Sequence, residues 1–159
     1  MQIKNITSDD FVDLLRLNED SLPHVSRIGT DDLQWFADNA VYFRMIRIDE
    51  RLAGFLIGLR PGTTYASPNY RWFCDNYDDF AYIDRVAVAD WARRRGIANS
   101  LYKDFAHSQT GVAVITCEVN IRPSNYGSMR FHERQGFKRI GSQIIDDGQK
   151  EVAYQEKKL

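Results

Sequence analysis

One run of residues constrains this chain more than any other: Val86-Ala87-Val88-Ala89-Asp90-Trp91-Ala92-Arg93-Arg94-Arg95-Gly96-Ile97-Ala98. An apolar stretch, Val86 to Val88, stops at a loop that gathers Arg93, Arg94 and Arg95. Gly96 follows, and then Ile97, Leu101 and Phe105 recur at i, i+4 and i+8, with Ala98 and Tyr102 beside them. Strand, loop and helix in that order leave the unpaired N–H groups of the helix start converging on one spot, at the positive end of the helix dipole. Such a spot takes anions, and three guanidinium groups suit it to phosphate. The same arginines would also suit a solvated surface, so the reading needs a second signal.

That signal lies downstream. Val112 to Val119 is a nearly unbroken apolar run, the pattern of a strand at the covered centre of a sheet, and Glu118 interrupts it. Ser124 to Arg134 then has a helical pattern, closed by Gly136 just past its end. Asn125, Ser128 and His132 fall at i, i+3 and i+7, which sets an amide, a hydroxyl and an imidazole on one helical stripe. Such a stripe can face a polar ligand or simply water.

Together the two runs resemble the GCN5-related N-acetyltransferase (GNAT) superfamily. The spacing Arg93-x-x-Gly96-x-Ala98 after Val-Ala-Val resembles the family's pyrophosphate loop. The series Asn125, Ser128, an aromatic at Phe131 and the closing Gly136-Phe137 resembles its last motif. The resemblance covers roughly residues 80 to 140, and upstream it is one of element order. It implies an α/β fold with a central mixed sheet flanked by helices. It also implies acetyl-CoA as co-substrate, no metal, and direct acetyl transfer to an amine in a ternary complex. Val86, Ala87 and Val88 would pair with the pantetheine arm. Arg93, Arg94, Arg95, Gly96, Ile97 and Ala98 would hold the pyrophosphate. Asn125 and Ser128 would steady the arm.

Two catalytic positions follow from the same resemblance. The family's usual tyrosine, thought to protonate the leaving thiolate, is replaced here by His132. An imidazolium can donate a proton near neutral pH, so His132 is the expected general acid, with an orienting or structural role as the alternative. An amine nucleophile must lose a proton, and Glu118, in a Glu-Val pair like that of some protein N-terminal acetyltransferases, is the expected base. Asp84 is the runner-up, since it shares parity with Val86 and Val88 on its strand; either carboxylate could equally be an ordinary buried one with a salt-bridge partner, as Arg85 could be for a neighbour of Asp84 on another strand. A catalytically silent acyl-CoA binder is the competing function, kept open by the missing tyrosine. A P-loop nucleotide enzyme is disfavoured, because no Gly-Lys-Ser/Thr triplet is present.

The remaining sequence sets the frame. A chain of 159 residues is expected to form one domain, residues 1–159. Lys and Arg number 21 against 22 Asp and Glu, a formal net charge of -1, which argues against a nucleic-acid partner. No run is long enough for a membrane span and residues 1–6 carry no signal-like stretch, so a cytoplasmic place is expected. Cys74 and Cys117 have no metal-ligand spacing, and Cys117 reads as a buried small apolar residue. Strands are expected at residues 2–6, 41–48, 52–59, 82–88, 138–145 and 151–157, with helices opening at Ser8, as N-cap, and at Thr30. Pro61 to Asp79 lacks periodicity and reads as a long aromatic excursion. Its Tyr65, Tyr70, Trp72, Phe73 and Tyr77 would roof the pocket for a small-molecule or peptide amine, with Asp75, Asp78 and Asp79 attracting the cation. They would equally suit a contact in a homodimer. His24, between the first two helices, is a weaker candidate for the acceptor site.

Overall fold

The expected alternation of apolar and polar residues becomes a sheet of seven strands in the order β1-β2-β3-β4-β5-β7-β6, in a computed structural model that describes residues 1–159. The class is the expected mixed α/β. The chain divides into two compact units, residues 1–59 with 84–110 and residues 60–83 with 111–159, and β4 (Ala81–Val88) runs through both.

In the first unit β1 (Gln2–Asn5), β2 (Tyr42–Ile48) and β3 (Arg51–Leu59) pair antiparallel. The β2–β3 turn places Asp49 and Glu50 at φ 48 and 62, the left-handed pair that matches the twist of a two-residue hairpin. Helix α1 (Phe11–Asp20) buries Phe11, Leu14, Leu17 and Asn18. A short 3-10 turn, Ser8–Asp10, precedes it, and the cap is Thr7 rather than the expected Ser8: the Thr7 N–H donates to Asp10 Oδ2 at 2.9 Å. Helix α2 (Thr30–Asn39) opens where expected, with the Gly29 N–H donating to Asp32 Oδ2 at 2.8 Å.

Two glycines of β3 seat the helix that follows the arginine loop. A Cβ at Gly54 would lie 2.7 Å from Ile97 Cγ2 and 2.9 Å from the Ala87 carbonyl, and a Cβ at Gly58 would collide with the Phe105 ring. Only bare backbone lets α4 (Ile97–Ser108) press Ile97 and Phe105 onto this strand.

In the second unit β4 pairs parallel with β5 (Val114–Arg122) through Ala81↔Ile115 and Tyr82↔Thr116. Strand β5 starts two residues later than expected and runs three residues past Val119. Its ladder with β7 (Lys150–Lys158) continues through a bulge between Asn120 and Arg122. Strand β6 (Lys138–Ile145) closes a hairpin with β7.

The main correction is the aromatic excursion, which contains helix α3 (Pro68–Asn76). Ser67 caps it, Pro68 takes the first helical position, and Asn69, Tyr70 and Phe73 are buried. Tyr70 and Phe73 are 0% exposed, so they are core, not a roof or an open contact face. Phe73 sits at ring-centroid distances of 5.2 Å from Tyr154 and 5.6 Å from Tyr82, and Trp72 stacks on Tyr154 at 4.3 Å. Gly141 of β6 leaves room for that stack, since a Cβ there would lie 3.1 Å from Trp72.

Candidate functional site

The first unit carries the arginine loop for which a phosphate-binding role is expected. Ala87 is buried, while Val86 and Val88 are half-buried, and the Ala89 N–H ties the end of β4 to the Ala53 carbonyl at 2.8 Å. The chain then makes a 3-10 turn, Asp90–Ala92, anchored by the fully buried Ala92. Arg93, Arg94 and Arg95 follow, all exposed. Arg93 pairs with Asp90 across 3.0 Å of open surface, a contact of little energy. Arg51 and Arg95 lie over the Trp91 ring at 4.2 and 5.8 Å. Arg94 and Gly96 both have positive φ, 63 and 76. At Gly96 this conformation caps α4 from outside, and no atom lies within 4 Å of a built Cβ. The glycine is thus required by backbone angle, not by crowding. The Ser100 N–H reaches back to the Gly96 carbonyl at 2.9 Å, so the N–H groups of Ile97 and Ala98 stand ahead of it at the head of the helix, where an anion can be taken.

Asp84, the runner-up base, is committed to an ion pair. Its Oδ2 accepts from Arg85 Nε at 2.7 Å, with 4% and 3% of the two side chains exposed. The same guanidinium donates to Asn18 Oδ1 and to the Ser26 carbonyl, each at 2.9 Å, and so fastens the α1–α2 connection to β4. His24 lies exposed in that connection.

The second unit carries Glu118. Its carboxylate oxygens lie 2.9 and 2.8 Å from the Tyr82 hydroxyl, which shares its one proton between them. Asn69 Nδ2 donates to Glu118 Oε1 at 3.2 Å, and Asn69 Oδ1 accepts from the Tyr154 hydroxyl at 2.9 Å. Sequence reasoning missed Asn69, Tyr82 and Tyr154, which come from α3, β4 and β7. The only local signal was an amide at position 69 just after Ser67-Pro68. Cys117 is 2% exposed, and burial, followed by the charge of Glu118, pushes its thiol well up. It fills space as expected.

Helix α5 (Tyr126–Arg134) brings Ser128 and His132 together but not Asn125 onto their stripe. Asn125 is the N-cap, and its Oδ1 accepts from the Ser128 N–H at 3.4 Å. His132 is 3% exposed, with the Phe131 and Phe137 rings at 5.4 and 5.2 Å. Burial holds its imidazole below the usual value, against the opposing pull of its bond to the Ser128 carbonyl. Nδ1 lies 2.7 Å from that carbonyl oxygen, which can only accept, so the neutral ring carries its proton there. Burial, not this hydrogen bond, weighs against the charged imidazolium expected of a general acid. The chain gathers no group of three or more His, Cys, Asp or Glu that could hold a metal ion, and no helix is long and apolar enough to cross a membrane.

The model of the acetyltransferase (GNAT) family matches residues 3–137. The fold is similar to that of Ard1 from Thermoplasma volcanium, with a TM-score of 0.80 at 16% identity over 99% of this chain and 97% of that one. It is also similar to Naa20 from Chaetomium thermophilum in complex with a bisubstrate analogue, with a TM-score of 0.77 at 19% identity over 100% and 87%. The ribosomal-protein-S18-alanine N-acetyltransferase from Escherichia coli gives 0.73 at 14% identity over 99% and 92%. A comparison with curated proteins gives no match. With a family model spanning most of its length, this chain belongs to the acetyltransferase (GNAT) family and is an N-acetyltransferase.

Proposed function

We propose that residues 1–159 act as one domain that transfers the acetyl group of acetyl-CoA to a primary amine by direct attack in a ternary complex. Acetyl-CoA supplies the acetyl group as a reactive thioester. The residues present fit it: left-handed Gly96, three exposed arginines and the head of α4 form a cradle for a diphosphate. The backbone of Val86, Ala87 and Val88 would pair with the pantetheine arm, and its N–H groups would polarise the thioester carbonyl. Ser128 would steady the arm, with Asn125 fixing the first turn of α5.

The observation that carries the mechanism is the Glu118 carboxylate, half-buried in an apolar strand and aimed by Tyr82 and Asn69. Glu118 takes the proton that the ammonium must lose, directly or through a water; the amine nitrogen then bonds to the acetyl carbon as the carbon–sulfur bond breaks, and the second nitrogen proton passes through water to the departing thiolate, which leaves as the free thiol of coenzyme A. His132, neutral and tied to Ser128, acts by holding the first turn of α5. The acceptor is a small-molecule or peptide amine. The test is thiol release from acetyl-CoA with a panel of an alanyl peptide, free amino acids, spermidine and an aminoglycoside. At least one amine should accelerate release, and Glu118→Gln should slow that reaction about 10²–10³-fold at neutral pH with coenzyme A affinity unchanged. Binding of acetyl-CoA without release by any amine would favour a silent binder. Full activity of Glu118→Gln with a dead Asp84→Asn would move the base to Asp84.

A further inference from the structure

Most of the side chains that converge on Glu118 come from elements far away in sequence, and one of those elements is the helix that periodicity did not reveal. We propose that Asn69 and Tyr82 are positioning residues that hold the Glu118 carboxylate ionised and fixed in direction, so that α3 helps set the pH range of amine deprotonation. The proposal rests on Glu118 being the base.

The geometry is directional. Asn69 is 8% exposed, and its Oδ1 is taken by the Tyr154 hydroxyl, so the end it turns toward Glu118 is the donor. The Tyr82 hydroxyl spans both carboxylate oxygens. Asn69 also lies in the first turn of α3, a nine-residue helix, where the positive end of the dipole favours an anion. The polar and titratable groups around Glu118 come from four elements. Tyr82 stands on β4, with the Tyr70 ring of α3 against its own ring, Asn69 stands on α3, and Cys117 lies beside Glu118 on β5. Tyr154 lies opposite it on β7, in the register pair Glu118↔Tyr154. Burial and then the charge of Glu118 push the Tyr154 phenol up, and the Cys117 thiol likewise. Both therefore stay protonated while Glu118 titrates. Hydrogen bonds to the charged form lower a carboxyl pKa, so each donor removed should raise it.

Asn69→Leu is the cleaner variant. The Tyr154 hydroxyl already lies 2.5 Å from Gln143 Oε1 and can give that group its proton, so no donor is orphaned. Tyr82→Phe is the second variant, should the first fail to fold. Two readings are taken on the full chain. One is the midpoint of Glu118 by NMR of ¹³C-carboxyl-labelled glutamate. The other is the acid limb of kcat/KM with the best amine of the panel. The midpoint should rise by about one pH unit in each variant, with the acid limb following it and coenzyme A affinity unchanged. A midpoint that stays put in both variants overturns the proposal, as does a loss of rate equal at every pH. A raised midpoint alongside a fully active Glu118→Gln supports the positioning and overturns only the reading of Glu118 as base.

Discussion

At the scale of single residues, His132 shows how burial changes the meaning of a side chain. As a letter in the sequence it stands where the family places a tyrosine, and an imidazole near neutral pH is a plausible proton donor. In the fold it lies 3% exposed, its Nδ1 proton is spent on the Ser128 carbonyl, and burial favours the uncharged ring. Its protonation can then be read from stability. Between its lowered folded value and the usual 6.5, the unfolded chain binds a proton that the folded chain does not. His132 therefore costs stability progressively as pH falls through 6.5, and costs nothing above it. His132→Phe should flatten that part of the stability–pH curve in urea titrations at pH 5 to 8. It should also keep turnover within about threefold and leave the alkaline limb of the rate profile in place. A collapse of turnover, with His132→Tyr restoring it and moving the alkaline limb upward, would instead make His132 the acid.

At the scale of elements, what could be read in the sequence depended on whether the signal was local. Helix α4 is legible because Gly96 stops one conformation and a four-residue apolar spacing begins another. The β2–β3 and β6–β7 hairpins are legible from their acidic turns, Asp49-Glu50 and Asp146-Asp147-Gly148. Helix α3 is not, because apart from Pro68 at its first position and Arg71 its residues are aromatic, Asn, Asp and Cys, all modest helix formers, and tertiary burial of Tyr70 and Phe73 overrides propensity. The Ser67-Pro68 start was the one local clue. Glu118 stood out because a carboxylate breaks an apolar strand, but its partners lie 36 and 49 residues away and no spacing rule reaches them. The cap gives a prediction for the element. Ser67 Oγ accepts from the Tyr70 N–H at 3.4 Å, so Ser67→Ala should cost about 1 kcal/mol in chemical denaturation. Because Asn69 lies in the turn so loosened, the acid limb of activity should shift in the same direction as in Asn69→Leu, and by less. Lost stability with an unmoved limb would mean that the cap serves folding alone.

At the scale of the molecule, the residues proposed for the diphosphate and the residue proposed for proton removal belong to different compact units. Arg93 to Ala98 fall in residues 84–110 and Glu118 in residues 111–159. Binding and chemistry should then separate under mutation. A ligand that binds only the folded chain stabilises it by about 2.7 kcal/mol at a hundred times its dissociation constant. Coenzyme A should raise the melting temperature of the wild type and of Glu118→Gln by the same amount, although the second is slow. Gly96→Val should behave in the opposite way. Nothing crowds the site of the new side chain, so the fold should survive. A β-branched residue strongly disfavours φ 76, so the loop must leave the shape that points its N–H groups at an anion. Gly96→Val should melt cooperatively and show no shift with coenzyme A. Dephospho-coenzyme A, which keeps the diphosphate but lacks the 3′-phosphate, should still stabilise the wild type. An unchanged shift in Gly96→Val would remove the diphosphate from this loop. A loss of the shift in Glu118→Gln would mean that the carboxylate helps to hold the co-substrate rather than to deprotonate the amine.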